Sequence, residues 1–540
     1  MVQLALPPEP FDAVVVGSGA TGGWAARKLT LAGMRVALIE AGEKTKPADF
    51  AGYDIHPDDA VCGTPCDLGR ERAIQASCYA CRPPKHPWFV NDLENPYQQA
   101  KPFHWIRMRV LGGRLLAWER QSYRMSNLDF KAASHDGYGD NWPFSYEDLV
   151  PYYEEVERYL GITGIPEKLA YLPDSIFLPA AANNLTMELL GNAGAKLNRV
   201  ITPARLAVMT RTYESHQACY SSAPSENGVL SSSHFSSPWM ALTDAARTGR
   251  LTLITDAIAS HIPVAKGKAT GIAYVNRISR TSHELRAKIV VLCASTLEST
   301  RLLLNSKICN SSGMLGRYLM DHIGGYAWGA AEGRRPEPND PHQRHRVYIP
   351  RFRNTSEKLT NGFIRGYGFQ ARIIPDAQTR QSFGASATPA DCTVRLSSFG
   401  ECLARRENFV EIDPDRLDAW GIPVLRIRAC WSGNEIRIWR DATAEAAQLL
   451  ETAGLRRIGT AAQPSKPGLS IHETGTARMG DSPRSSVLNQ YCQAHDVPNI
   501  FVTDGACWVS SGCQNPTLTM MAITGRACTF IIQEYSKTKC

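Results

Sequence analysis

Residues 11–43 read FDAVVVGSGATGGWAARKLTLAGMRVALIEAGE. Ala13–Val16 is a short apolar run rich in β-branched residues, which suits a strand buried on both faces. Gly17-Ser18-Gly19-Ala20-Thr21-Gly22 follows at once, with the spacing G-x-G-x-x-G. Trp24–Ala32 predicts a helix that Gly33 closes, and Arg35–Ile39 a second strand with Glu40 at its end. Each part suits a bound dinucleotide. Gly17 permits a tight turn, Gly19 lets backbone approach a pyrophosphate, and Gly22 lets helix and strand pack closely. The helix N-terminus turns free N–H groups and a positive dipole end toward the phosphates. Glu40, 18 residues after Gly22, is placed to bond a ribose hydroxyl, and Ala20, Thr21 and Ala41 fall in the same site. Glycines alone would be a weak signal; strand, glycines, helix, strand and acid in order are specific. Only the rest of the chain can choose between NAD and FAD.

The chain has 540 residues, which predicts two intertwined domains, and a hydrophobic content of 43% supports a large core. Lys and Arg number 59 against 52 Asp and Glu, a net +7 spread along the chain, so nothing argues for nucleic acid. No charged segment followed by an apolar core opens the chain, and no run of about 18 apolar residues occurs, so neither an export signal nor a transmembrane helix is expected. With an odd count of 15 cysteines, this predicts reduced thiols and a cytoplasmic protein. Cys62-x3-Cys66 and Cys78-x2-Cys81 could form a structural zinc clip. The first spacing is loose, however, and small buried cysteines are the preferred reading, so no metal is assigned.

Five segments are expected. Residues 10–135 begin the FAD-binding domain, 136–204 begin the substrate domain, 205–325 resume the FAD-binding domain, 326–468 resume the substrate domain, and 469–540 close the FAD-binding domain with the catalytic residues. In the first, Gly112-Gly113 after Leu111 would let backbone approach a flat ligand. In the second, Ser145 caps a helix with Asp148 three residues on, and Gly161 ends it. In the third, Ala241–Thr248 reads as a helix, Leu251–Ile254 as a strand, and Lys288–Cys293 as a buried strand running into Ala294 and a helix around Arg301–Leu304. A second strand-to-helix crossing fits a doubly wound sheet holding a whole FAD. In the fourth, Asn339–Arg351 reads as loop and Asp441–Ala453 as helix, while Cys392–Phe399 and Pro423–Ala429 read as strands of an antiparallel sheet. The fold class is therefore an α/β Rossmann-like FAD-binding domain plus an α+β substrate domain.

The last 70 residues carry the chemistry. His472 opens HETGTARMG; Asn499–Ala506 is a strand ending at Asp504-Gly505; Gln514-Asn515-Pro516-Thr517 opens a helix reaching Arg526. Asn515 suits the cap and Pro516 the first helical position, so a positive helix end would face whatever lies beside Asn515, such as the charge of a reduced flavin. Asp504 could bond the ribityl or pyrophosphate region. His472 is a candidate proton acceptor.

These motifs resemble the glucose–methanol–choline oxidoreductases, FAD enzymes that oxidise alcohols. The likeness runs end to end: GSGATGG with Glu40, LGGRLLAW (111–118), LCASTLESTRLLLNS (292–306) with GRYLMDH (316–322), HETGTARMG (472–480), and TDGA with QNPTLT (514–519). Within the family the chain is most similar to the bacterial sugar and polyol branch, which includes pyranose and glycoside oxidases and gluconate or fructose dehydrogenases. That branch pairs a histidine with an asparagine, here His472 and Asn515. The resemblance implies that a substrate hydroxyl sits between them, that His472 takes its proton, and that hydride passes to flavin N5. Several sugar oxidases of the family bind flavin through a histidine shortly after the glycine pair; this chain has Ala117 there, which predicts noncovalent FAD. Arg478, Gln514 and His495 read equally as touching the site or as structural, and His104, His216 and His234 have no such motif around them. His322 reads as closing structure near the flavin, and Arg114 and Arg120 as within reach of the pyrophosphate. The competing functions are a hydroxynitrile lyase on the same fold, an NAD-linked dehydrogenase and a vestigial scaffold. The electron acceptor stays open between oxygen, a quinone and another carrier; no haem motif C-x-x-C-H occurs in the chain.

Overall fold

The computed structural model describes residues 9–44, 68–78, 80–81, 86–180, 184–210, 240–334, 346–356, 362–374 and 392–537. β1 (Phe11–Val16) and β2 (Val36–Ile39) are buried along their whole length, and α1 (Ala20–Leu31) joins them. Helices or other layers cover both faces of such strands, so their side chains are apolar throughout rather than alternating. The sheet continues through β3 (Leu251–Ile254), β4 (Ala257–His261), β5 (Gly271–Asn276) and β6 (Ser282–Leu292), in the order β3-β2-β1-β6-β5-β4. Ile500–Val502 also pairs with β6. β3, β2, β1, β6 and Ile500–Val502 run parallel; β5 and β4 are antiparallel additions. β6 serves both parts: Ser282–Arg286 pairs with β5, and Ala287–Leu292 with β1. The sequence reading placed a strand only over Lys288–Cys293. The earlier half of β6 is masked there by exposed Glu284, Arg286 and Lys288 alternating with buried Leu285 and Ala287. α2 (Thr296–Asn305) leaves the end of β6 through Ser295, whose φ is 95°.

The second sheet is antiparallel throughout. It orders Arg456–Thr460, β7 (Ile323–Ala331), β10 (Cys392–Gly400), β9 (Tyr367–Ile374), β8 (Arg346–Ile349) and Thr202–Pro203. α3 (Gly433–Thr452) buries Ile438, Ala442, Ala446, Leu449 and Leu450 in one cluster with Val394, Leu396, Phe369 and Ala371. The alternate positions Gln370, Arg372, Arg395 and Ser397 line a cavity on the other face. Three expectations are corrected here. Arg346–Ile349, read as loop, is a buried strand, because the polar residues around it hid the short run Val347–Ile349. The helix expected from Asp441 starts at Gly433, where Ser432 and Glu435 form a capping box. Pro423–Arg428 is a strand, but it pairs with Phe409–Leu417 and Gln98–Gln99 in a separate sheet against α2, not in the substrate sheet.

The chain closes with α4 (Thr517–Lys537), which packs on α1 and on the helix Tyr146–Leu160. That helix has the expected ends: Ser145 and Asp148 cap it reciprocally, and Gly161 has φ 68°. Tyr153 of this helix meets Thr519 at 2.8 Å, which ties the start of α4 to the core. Of the four candidate zinc ligands, Cys62 and Cys66 lie outside the described residues. Cys78 and Cys81 are buried with Phe89 and Ile106, and burial pushes the Cys78 thiol up to about 11. Among the described residues no helix is long and apolar enough to cross a membrane.

Candidate active site

A cavity of about 650 Å³ separates the two sheets. One end is walled by Gly17, Gly19, Ala20, Thr21, Glu40 and Ala41, its middle by Gly113, Ala294, Asp504 and Gly505, and its far end by His472, Asn515, Pro516 and Thr517. The remaining two glycines of the expected cofactor site do not line it. A Cβ on Gly22 would stand 1.9 Å from the carbonyl oxygen of Gly17, so this glycine is what lets α1 sit on the β1 turn. Gly112, at φ 98°, donates its N–H to Ser18 Oγ at 2.8 Å.

The dinucleotide end meets the needs of an FAD. Around an added Cβ at Gly19 the nearest atom would be Gly112 O at 4.0 Å, so the space above the first turn of α1 is open where a pyrophosphate would lie. Glu40 Oε2 accepts from Ser18 N and Oγ, and Oε1 from Gly42 N at 2.8 Å. Its buried carboxylate keeps lone pairs for a ribose hydroxyl, although burial raises its pKa. Asp504 is more committed: it accepts from Ser295 N, Ser299 Oγ and Ala506 N, and so holds the positive-φ turn into α2 beside the cavity. Burial brings its carboxyl up to about 6. Arg114 lines the cavity, and its guanidinium donates to both oxygens of Glu473 at 3.0 and 2.7 Å, joining the glycine loop to the HETG segment. Arg120 does not line the cavity.

At the far end His472 Nε2 faces Asn515 Nδ2 at 3.3 Å. The two are 43 residues apart, and each is fixed from behind. Asp321 accepts from the backbone N–H groups of His472, Gly468 and Ser470, which clamps a turn where Ile471 has φ 60°. Such a conformation is rare for a β-branched residue and needs outside support. Burial and Glu473 push the Asp321 carboxyl up to about 7. His472 Nδ1 lies 3.0 Å from Nδ1 of buried His322. Burial outweighs the backbone hydrogen bonds at Gly512 and Ser511 and holds the His322 ring down to about 4, so it is neutral. The Asn515 NH₂ can only donate, so His472 Nε2 is the acceptor, and a neutral His472 carries its proton on Nδ1 and donates it to His322 Nδ1. Burial, then His322 and Arg114, hold His472 well below the usual histidine range.

Asn515 is oriented in the same manner. Gln370 Nε2 donates to Asn515 Oδ1 at 2.6 Å, so the amide turns its NH₂ to His472 and the cavity. Asn515 is not the helix cap that was expected: Pro516 O accepts the first helical hydrogen bond, from Met520 N, and the helix starts at Thr517. Gln370 carries no motif and was missed; Asp321 lies within GRYLMDH but was given no role. The only sequence signal for Gln370 is period two in YGFQARII (367–374), where Gln370 and Arg372 share a face. His322 is nearer the chemistry than expected. The other candidates lie elsewhere: Arg478 pairs with Asp140, Gln514 bonds Asp129, His495 bonds Ser486, and His104 bonds Ser77. His216 and His234 are outside the described residues.

Comparison with known proteins agrees with this arrangement. The chain is 29% identical over 97% of its length to 2-methyl-1,2-propanediol dehydrogenase of Mycolicibacterium austroafricanum, covering 96% of that protein. It is 25% identical to the fructose dehydrogenase large subunit of Gluconobacter japonicus, over 97% of this chain and 98% of that one. In three dimensions it resembles pyridoxine 4-oxidase from Mesorbium loti, with a TM-score of 0.66 at 21% identity over 97% and 99% of the two chains. The N-terminal and C-terminal family models of the GMC oxidoreductases match residues 11–324 and 404–524. With a glycine turn built for a dinucleotide at one end of the cavity and a histidine–asparagine pair at the other, the chain belongs to the GMC oxidoreductases, a family of FAD flavoenzymes.

Proposed function

We propose that this chain oxidises a CH–OH group of a sugar, glycoside or polyol to a carbonyl, with His472 as the base and Asn515 as the group that holds the oxygen. One observation carries the reading: two side chains from distant segments converge at 3.3 Å on the wall of a cavity of about 650 Å³ that also contains the dinucleotide turn. When bound, FAD supplies the hydride acceptor. The substrate hydroxyl is taken between His472 Nε2 and Asn515 Nδ2. Asn515 donates to the oxygen and His472 Nε2 accepts the proton as the C–H bond breaks. His322 keeps the His472 proton on Nδ1, and Gln370 keeps the Asn515 amide from turning. General base catalysis of this type contributes roughly 10²–10⁴-fold.

In this reading segments 10–135, 205–325 and 469–540 carry the cofactor, and 136–204 and 326–468 cover the substrate. FAD is held without a covalent bond: Ala117 lines the cavity without a nucleophile, and nearby Cys78 is kept as a thiol by burial. The relatives support the alcohol class, for their names include a diol dehydrogenase and a fructose dehydrogenase. The test is the visible flavin spectrum of the purified holoenzyme, followed without oxygen against sugars, glycosides and simple alcohols, and then in air. Bleaching by an alcohol is expected. Recovery in air marks an oxidase, and persistent bleaching a dehydrogenase that uses a quinone or another carrier. An unreduced flavin beside a cleaved substrate would instead favour the lyase chemistry known on this fold. Acid precipitation should release all the flavin into the supernatant.

A further inference from the structure

One aromatic ring on the substrate wall is left open. Of the large hydrophobic side chains exposed among the described residues, Tyr326 of β7, at 41% exposure, alone lines the cavity. A single exposed ring on an outer surface needs no explanation; one at the mouth of a substrate cavity is contact area for a ligand. Its place is fixed by strand register. Tyr326 stands opposite Ser397 of β10, and Ser397 stands opposite Gln370 of β9, the residue that holds Asn515. Opposed residues point to the same face, so the three form one row across the sheet, and all of them line the cavity. Neighbouring strands lie about 4.8 Å apart, which puts Tyr326 about 10 Å from Gln370 along the row. The floor between the catalytic pair and the ring is made of small residues: Ser397 within the row, and Gly324 two residues before Tyr326 on the same face of β7. The ring itself is held in place. The Arg395 guanidinium lies 4.4 Å from its centroid, and the Trp328 ring packs at 5.6 Å, tilted by 35°. A ring held in this way loses little freedom when a ligand covers it.

From this row, and resting on the proposed oxidation, we infer that Tyr326 is a stacking platform for the aglycone ring of a glycoside substrate. The sugar that is oxidised places a hydroxyl at His472 and Asn515, and the group joined through its glycosidic oxygen lies on Tyr326. A single sugar held at the pair stops short of a ring about 10 Å along the row, whereas a glycoside spans the gap. The face of a tyrosine matches flat groups with positive edges or C–H bonds, so it takes either a phenyl ring or the C–H face of a second sugar. The wall thereby selects a glycoside over a free sugar or a small polyol, through contact area at the mouth and not through the oxidised carbon.

The test compares holoenzyme flavin reduction by methyl β-glucoside, phenyl β-glucoside and cellobiose, in the wild type and in Tyr326→Ala and Tyr326→Phe. At least one of the two larger glucosides should show a KM about tenfold below that of methyl β-glucoside, and which one it is separates an aromatic aglycone from a second sugar. Tyr326→Ala should lower the ratio of kcat/KM for that glucoside over methyl β-glucoside about tenfold, with flavin content unchanged. Tyr326→Phe keeps the ring and should keep most of the ratio. In parallel, each of the three is titrated calorimetrically into holoenzyme whose flavin has been reduced beforehand, so that no turnover consumes it. The wild type should bind a larger glucoside about tenfold more tightly than methyl β-glucoside, and Tyr326→Ala should not. Equal binding of all three by the wild type, or the same preference in Tyr326→Ala, would overturn the platform. If all three bleach the flavin with equal KM, the oxidation stands and the platform falls. If none bleaches it, the oxidation reading is in trouble and the titration still decides the platform.

Discussion

The two ends of the cavity are made from different material. At the dinucleotide end, backbone meets backbone: a Cβ would stand 1.9 Å from Gly17 O at Gly22, and 2.1 Å from Val110 N at Gly42. At the substrate end, side chains meet side chains: Gln370 orients Asn515, His322 orients His472, and Asp321 clamps the turn beneath. The first arrangement tolerates no atom added between helix and strand. The second tolerates exchange of groups as long as their donors and acceptors are kept, which is how one cofactor frame can serve different alcohols.

The contrast can be broken most severely at the glycines. Gly22→Ala places a methyl where no side chain can move aside, since the clash is with backbone. A penalty of about 3 kcal/mol or more is expected. The protein should purify with little or no flavin, read from its visible absorbance, and a fully yellow Gly22→Ala protein would end the claim that this end is rigid. At the substrate end His472→Ala should keep its FAD but lose roughly 10²–10⁴-fold in the rate of flavin reduction. Normal reduction in that variant would remove His472 from the chemistry.

Smaller effects sharpen the comparison. Gln370→Leu frees the Asn515 amide to rotate, and the loss of one hydrogen bond of about 1 kcal/mol predicts a fall in kcat of up to about tenfold with flavin content unchanged. A change in flavin content instead would mean that β9 supports the cofactor. The smallest expected effect is with pH. In the proposed mechanism His472 acts when neutral, and its pKa is held well below the usual histidine range, by burial first. Lowering the pH from 8 through 6.5 should therefore leave the rate of flavin reduction level, with a decline only in more acid solution. A drop centred near 6.5 would mean that the ring is as wet as an exposed histidine.

Much of the dinucleotide end was legible because its signals are local. Gly17, Gly19, Gly22 and Glu40 lie within 24 residues, and steric rules alone tie each glycine to a turn or a close approach. The pairing of His472 with Asn515 was expected only through the family resemblance. The start of α3 at Gly433 and the antiparallel half of β6 were missed or shortened, because polar residues on the exposed side of a half-buried element dilute its apolar pattern, and the strand Arg346–Ile349 was missed because its apolar run is short and set among polar residues.

The sequence by itself determined a parallel sheet around β1, a cleft for a dinucleotide and a short list of ionisable candidates, since period, glycine spacing and capping act over a few residues. Only the tertiary structure decided which groups meet. It put Gln370 on Asn515 across 145 residues and His322 on His472 across 150, and it aligned Gln370, Ser397 and Tyr326 on neighbouring strands. Register between strands is set by burial of a whole face, and no local pattern states which residue will stand opposite which.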